Sequence, residues 1–463
     1  MSRPRGASQL PIATIGSELH NFPGVDAPAL GPGTSAKKGG VAMDDLERIT
    51  QFRRDLHRIP ELSFDLPETI AYVRSVLEPL SCEVTSPCAS CVCAYFNVDA
   101  ALDRPSGTTS ATAIRADMDA LPITEQSDVP FCSGKPGHMH ACGHDGHMAM
   151  ALAAACWVDE ELRAARSRVS AGQSATCPIA RNVLFVFQPA EETTGGAKNV
   201  CESGVFERYH ADRIFGFHVW HDLPAGVVAT RPGPLLARAS ETTLTVRGLS
   251  SHIAKSAEGH DALLAGAHFL TEVEGLMELL GESEPCLLKF GHMTSGAVRN
   301  AISAESVIEG SLRVFSDEMF DRAREGVRVC AQEACERYGC SYDLHFSEGY
   351  PPVINDRKLF VAARAALKDV NAGAETRAKE IGGSTIAEDE ATGAVEMRGD
   401  GLALIPKPLL IAEDFAFYQQ HLPGVFFLLG TGTGIPLHSD TFRMDERILL
   451  RGLATYRTLL GMK

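Results

Sequence analysis

The chain has 463 residues, more than one ordinary hydrophobic core supports, so two domains or one domain with a large insert are expected. Apolar residues make up 44% and charged residues 22%, an ordinary globular balance. The formal charge is −16, from 43 Lys+Arg and 59 Asp+Glu, which speaks against a basic nucleic-acid footprint, so no nucleic-acid partner is expected.

Residues 1–40 are rich in Pro, Gly, Ser and Ala and lack the apolar centre of a secretory signal, so a disordered tail is expected over 1–42. No apolar stretch is long enough to span a bilayer, and no membrane partner is expected. The 13 cysteines show no regular framework, which predicts reduced thiols and a cytoplasmic location. Cys88, Cys91 and Cys93 are read as core or surface thiols, since no second Cys/His pair accompanies them.

Leu46, Ile49, Phe52 and Leu56 recur at helical spacing until Ile59-Pro60. A second helix is predicted over Pro67–Leu80, then strands at Val92–Val98 and Ala113–Asp117. Met139–Met148 follows, with three histidines, Cys142 and Asp145 in under three helical turns. Gly143 lets the backbone bend so that Cys142 and His144 can face one ion. Thiolate plus imidazole suits zinc or another first-row transition metal better than calcium or magnesium. Met148–Val158 reads as a buried helix, and Ser167–Pro178 as a surface loop.

Val183–Phe187 is a continuous apolar run, as a strand buried on both faces should be, and it leads into Glu191-Glu192. Ile214–Trp220 is a second such strand and carries His218. Strands alternating with helices predict an α/β fold with a mostly parallel sheet and helices on both faces. Ligand sites in such sheets lie at the carboxyl ends of strands, where Asp117, Asp119, Glu191, Glu192 and His218 all fall.

The pattern changes near Ala239. A strand at Glu241–Arg247, a helix at Asp261–Leu280, strands at Cys286–His292 and Ser306–Phe315, a helix at Asp317–Tyr338 and a strand at Tyr342–Phe346 follow. This β-α-β-β-α-β order predicts an inserted α+β, ferredoxin-like domain over 239–348. The first domain would then comprise 43–238 and 349–463. Its second part holds predicted helices at Lys358–Val370 and Glu413–His421, a Gly/Ala/Glu-rich loop at Ala372–Gly401, a strand at Val425–Leu429 and a last helix at Asp445–Gly461.

Paired glutamates after a buried strand suit hydrolysis: one carboxylate can bind metal while the other handles a proton. Cys142, His144, Glu192, His218 and His438 together supply enough sulfur, nitrogen and oxygen donors for two metals sharing a water. A non-catalytic metal-binding protein would not need the spare carboxylate, and a cysteine-redox protein would need neither Glu191 nor His438.

Several segments carry a resemblance. They are Asp55-Leu-His-Arg-Ile-Pro-Glu-Leu-Ser-Phe64, Arg115-Ala-Asp-Met-Asp-Ala-Leu-Pro122, His140-Ala-Cys-Gly-His-Asp-Gly-His-Met148, Phe187-Gln-Pro-Ala-Glu-Glu192, Glu413-Asp-Phe-Ala-Phe-Tyr418 and Leu437-His-Ser439. In this order, from about Asp44 to the C-terminus, the chain resembles the amidohydrolase branch of the aminoacylase/carboxypeptidase metallopeptidase family. That branch includes hippurate hydrolases, N-acyl-amino-acid amidohydrolases and indole-acetyl-amino-acid hydrolases.

The resemblance implies a di-metal exopeptidase-like catalytic domain with a lid and dimerisation domain inserted. It makes Glu191 the general base and Cys142, His144, Glu192, His218 and His438 the ligands of two divalent ions (Mn, Zn, Co or Ni). Asp119 becomes a supporting carboxylate behind the ligands, with Asp117 standing where the wider family has histidine. In the lid, His252 matches a histidine that polarises the scissile carbonyl, often in the neighbouring subunit, and Asn300 a residue near the substrate carboxylate. The implied substrate is a small N-acyl or N-aroyl amino acid, the alternative a dipeptide or a carboxypeptidase substrate, and the implied partner a second copy docking through the lid. Two lid segments depart from the pattern. Ser250-Ser251-His252-Ile253-Ala254 stands for Gly-Gly-His-Ala-Ala, and Asn300-Ala-Ile-Ser303 for Asn-Val-Ile-Pro.

Overall fold

The computed structural model describes residues 44–105, 109–174, 176–193, 195–372 and 401–463. The expectations of a disordered tail over 1–42 and of a long loop over 373–400 fall outside the described residues.

Fourteen strands are described, in three sheets. They are β1 (Glu83–Thr85), β2 (Val92–Phe96), β3 (Ala111–Asp117), β4 (Asn182–Gln188), β5 (Ala211–Trp220), β6 (Val228–Thr230) and β7 (Gly233–Leu236). Then follow β8 (Arg238–Arg247), β9 (Cys286–Ser295), β10 (Glu305–Val314), β11 (Ser341–Phe346), β12 (Val353–Asn355), β13 (Ala403–Leu404) and β14 (Gly424–Gly430). The large sheet runs β1-β2-β4-β3-β5-β14-β6-β13. Its centre is parallel: β3 pairs in parallel with β4 and β5, and β5 with β14. The helix His144–Ser170 makes the β3-to-β4 crossover, which parallel neighbours require. The β1–β2 edge and the β14–β6 pair are antiparallel, so the sheet is mixed at its margins.

Strand periodicity sorts the core into two layers. Val183, Phe185 and Phe187 of β4 join one apolar cluster, while Leu184 and Val186 join the other. The first cluster holds the helices Asp45–His57, Pro67–Leu77, His144–Ser170 and Leu449–Leu460. On the opposite face lie the shorter helices Gly196–Glu202 and Ala416–Gln419. β3, β4 and β14 are buried along their whole length, which explains their unbroken apolar runs.

The second sheet, β11-β8-β10-β9, is fully antiparallel and belongs to a separate domain with its own core around Leu244, Phe269, Ile308 and Val327. Helices Ala262–Gly281 and Asp317–Tyr338 cover it. The ribbon β7–β12 carries the chain into and out of it. No helix among the described residues is long and apolar enough to cross a membrane.

Several local boundaries differ from expectation: the second helix stops at Leu77 rather than Leu80, and the helix expected over Lys358–Val370 spans Arg357–Ala366. The buried helix runs on to Ser170, four residues into the predicted surface loop, with the Ser167 hydroxyl bonded back to the Arg163 carbonyl. The helix expected over Glu413–His421 is confined to Ala416–Gln419, because the Glu413 and Asp414 side chains are drawn to a buried arginine. The last helix starts at Leu449, after a 3-10 turn over Glu446–Ile448.

Candidate metal centre

The site lies at the carboxyl ends of β3, β4, β5 and β14. His144 begins the long helix, and Gly143 before it has φ +85°, in the left-handed region that favours glycine. A Cβ there would also stand 2.5 Å from Val219 Cγ2. The resulting bend aims the Cys142 thiol at β5. Its Sγ is 3.2 Å from His218 Nε2 and 3.3 Å from His438 Nε2. Glu192 Oε1 is 3.3 Å from His438 Nε2 and 3.9 Å from His144 Nε2. All five predicted donors thus converge.

The ring orientations are fixed from behind. His144 Nδ1 donates to the Asp119 carbonyl at 2.8 Å, and His218 Nδ1 to the Val219 carbonyl at 2.6 Å. Both bonds leave the Nε2 lone pair toward the cluster, the tautomer a metal ligand needs. His144 Nε2 is buried without a hydrogen-bond partner, and Glu192 Oε1 meets only the His438 ring, at 3.3 Å and outside hydrogen-bond geometry. Unpartnered buried acceptors are costly, and a cation between them removes the cost. The S, N and O donor set fits a divalent first-row transition ion.

His147 is equally close to the cluster but is already committed. Its Nδ1 is 2.7 Å from Asp117 Oδ1, and its Nε2 accepts the Val219 amide at 2.9 Å. Asp117 is also held by Arg115 at 2.6 Å. The Asp117–His144–His147 group therefore reads as packing behind the centre rather than a second ion site.

Ala190, at φ +57°, turns the chain so that Glu191 and Glu192 both face one cavity. Asp119 secures this turn. Its two oxygens accept the backbone amides of Glu191 at 2.9 Å and Glu192 at 3.1 Å. Burial pushes the Asp119 carboxyl up to about 8, although the amide bonds favour its charged form. Burial, then the Glu413 charge, holds Glu191 well above the usual carboxylate range. A cation nearby acts in the opposite sense. Beneath lies Arg115, fully buried, bonded to Asp414 at 2.8 Å and Glu413 at 2.9 Å. The cavity measures about 300 Å³, and Trp220, Leu236, Ile411 and Leu437 give it an apolar wall.

The two lid candidates stand apart from it. His252 is exposed, and its neighbour Ile253 donates its amide to the Asn300 carbonyl at 3.0 Å. His252 and Asn300 thus share one corner of the lid, but neither lines the cavity of their own chain.

The profile of peptidase family M20/M25/M40 matches residues 113–392. An uncharacterized hydrolase of Staphylococcus aureus (strain USA300) is 31% identical over 427 residues, covering 90% of this chain and 99% of the relative. The chain belongs to the M20/M25/M40 peptidase family. Two crystal structures of similar proteins have the same fold. One, from methicillin-resistant S. aureus and described provisionally as an aminohydrolase, has a TM-score of 0.74 at 26% identity, over 90% of this chain and 97% of the other. The other is the Bacillus subtilis YXEP protein, described as a dinuclear metal-binding peptidase of family M20. Its TM-score is 0.69 at 27% identity, again over 90% and 97%.

For this M20-family chain, sequence reasoning named the five donors and Glu191 but assigned nothing to Arg115, Glu413 and Asp414. Glu413 lines the cavity and Arg115 anchors it, a pairing of residues almost 300 positions apart. An arginine inside an otherwise apolar strand was the available signal.

Proposed function

We propose that this chain is a metal-dependent amidohydrolase that cleaves N-acyl or N-aroyl amino acids to a carboxylate and a free amino acid. The observation that carries the reading is a spare carboxylate, Glu191, whose Oε2 lies 4.0 Å from His144 Nε2 in the same cavity as the donor cluster. Cys142, His144, Glu192, His218 and His438 would hold two divalent ions, of Mn, Zn, Co or Ni. When bound, such ions polarise a carbonyl and acidify water. Glu191 takes the proton of the attacking water and delivers it to the leaving amine. Asp119 keeps Glu191 and Glu192 on the same side of the turn. The apolar wall at Trp220, Leu236 and Leu437 suits an acyl or aroyl group and excludes water from the reacting bond.

His252 is proposed to donate to the developing oxyanion, and Asn300 to meet the substrate carboxylate, both from the lid of a second copy. Their exposure and their absence from the cavity of their own chain support delivery in trans.

The test is a panel of N-acetyl, N-benzoyl and indole-acetyl amino acids plus dipeptides, assayed with Mn, Zn, Co and Ni added singly. Preference for the acylated amino acids supports the reading. Turnover of dipeptides alone would replace it with the peptidase alternative that the family name allows.

A further inference from the structure

His57 ends the first helix and is remote in sequence from every donor of the centre, yet it is buried between two carboxylates. Its Nδ1 lies 2.8 Å from Asp145 Oδ2 and its Nε2 3.1 Å from Glu125 Oε1. A ring with a carboxylate on each nitrogen carries both protons, so His57 is an imidazolium. Each carboxylate leads to a different part of the centre. Asp145 is the residue after His144. Glu125 accepts the Ser133 amide at 2.6 Å, and the next residue, Gln126, donates its amide to the Asp440 carbonyl at 2.7 Å. Asp440 lies two residues beyond His438. The His438 amide closes the circuit by donating to the Ala141 carbonyl at 3.0 Å, beside Cys142.

We propose that His57 is a positioning residue of the metal centre: a buried cation that ties the Cys142–His144 segment to the His438 segment through Asp145 and Glu125. The inference rests on the reading of the five donors as a metal site. His438 is the donor that most needs such a tether. It lies in a loop, its side chain is 52% exposed, and its φ of +64° is uphill for a residue with a Cβ. Without restraint from neighbouring segments that loop would relax.

The groups around His57 are Asp145, Glu125, Arg53, His140 and the Phe131 ring. Arg53 Nε also donates to Asp145 Oδ2, at 3.1 Å, so Asp145 stays paired if His57 is replaced. The Phe131 edge is 5.5 Å from the His57 ring and the His140 ring 6.4 Å. Burial alone would lower the proton affinity of His57. The bonds to Asp145 and then Glu125 overcome it and raise the group to about 9. The raised group supports the folded arrangement fully below its unfolded value of about 6.5, and that support is lost as pH rises through about 9.

The test uses full-length protein stripped of ions. Manganese affinity is measured by competition with a chromophoric chelator for wild type, His57→Gln and Glu125→Gln. At pH 7 each variant should bind about 10- to 100-fold more weakly, the usual effect of losing a residue that orients a ligand. Circular dichroism should stay unchanged. The advantage of wild type over His57→Gln should shrink toward nothing between pH 7.5 and 10. Ligand titrations common to both proteins cancel in that ratio. Glu125→Gln leaves the His57–Asp145 pair intact and carries the test if His57→Gln does not fold. Wild-type affinity in the folded variants, even with a lowered melting temperature, overturns the proposal. So does an advantage that persists unchanged to pH 10. An apoprotein that binds no divalent ion would instead sink the metal-centre reading, and the tether with it.

Discussion

Asp119→Ala is the most direct probe of the turn that presents Glu191 and Glu192. Asp119 is fully buried, and its two oxygens are the acceptors for two consecutive backbone amides. Alanine leaves the buried Glu191 N–H and the half-buried Glu192 N–H without their acceptor, at about 1–3 kcal/mol for the first and less for the second. Asp119→Asn keeps one acceptor but sets an NH2 against the other amide, so it should lose roughly half as much. Part of the loss will appear as a relaxed turn. A displacement of about 1 Å at a catalytic carboxylate costs on the order of 100-fold in rate. Hydrogen exchange followed by mass spectrometry on the peptide spanning Gln188–Gly196 reads the turn directly. A local loss of about 2 kcal/mol or more speeds exchange of the two amides by about 30-fold or more. Turnover on the best substrate reads the consequence. Wild-type exchange and wild-type turnover in Asp119→Ala would refute the reasoning, because the two amides would then need no acceptor.

Glu191→Gln should keep the fold and the metal but lose about two to four orders of magnitude in turnover, since an amide cannot take the water's proton. Metal analysis beside the rate decides it, and near-normal activity in the loaded variant removes Glu191 from the mechanism. Burial, then the Glu192 and Glu191 charges, pushes the metal-free Cys142 thiol well above its ordinary range, so it should be protonated in the apoprotein at pH 8. Zinc binding in weak buffer should therefore release a proton that Cys142→Ser does not release, and equal release from both would contradict a thiolate ligand. His252→Ala should lose about 100- to 1,000-fold in turnover with its metal retained. Mixing it with Glu191→Gln subunits should restore part of the activity, and verified mixed dimers without rescue would exclude action in trans.

The donors that were legible in the sequence are those whose chemistry is local. Cys142-Gly-His144 needs only a bend at one glycine, and Val183–Phe187 announces a strand buried on both faces, with Glu191 and Glu192 just past its end. What escaped depends on partners distant in sequence. The segment His140-Ala-Cys-Gly-His-Asp-Gly-His147 places His144 beside Cys142 but does not show why His147 is no ligand. The distinction is made by Asp117 and the Val219 amide, which occupy both nitrogens of His147. The Glu413–His421 pattern looks helical, but a buried Arg115 draws Glu413 and Asp414 inward and shortens the helix to one turn. The antiparallel margin escaped because periodicity shows a strand but not its direction: Val92–Phe96 reads as a strand, its antiparallel pairing with β4 does not.

The proposed dimer would bring to the cavity a kind of group that its lining does not hold. Glu191, Glu192 and Glu413 face it, and none of the lining residues is lysine or arginine. Metal ions would offset some of that negative charge at the reacting bond. They would not tell the carboxylate end of an N-acyl amino acid from its acyl end, since both ends present oxygens to a cation. In the proposed reading a second polar contact reads the free carboxylate. Candidates for it stand at the lid corner, where Arg299 and Asn300 are exposed and the Asn300 carbonyl meets the amide next to His252. That corner also leaves Leu249, Ile253 and Val298 exposed by 51, 49 and 61%, while Leu410 and Ile411 stand exposed near the cavity wall. Apolar groups in both places, with the polar groups of one supplying what the other lacks, are what the proposed dimer would bring together. Ser250 and Ser251 precede His252 at that corner, whereas Ser303 is buried behind it and bonded to Ser295 and Glu305, so of the lid departures only the first pair would meet an acyl amino acid, and the substrate panel and the mixed-dimer assay have to be run on the same preparations.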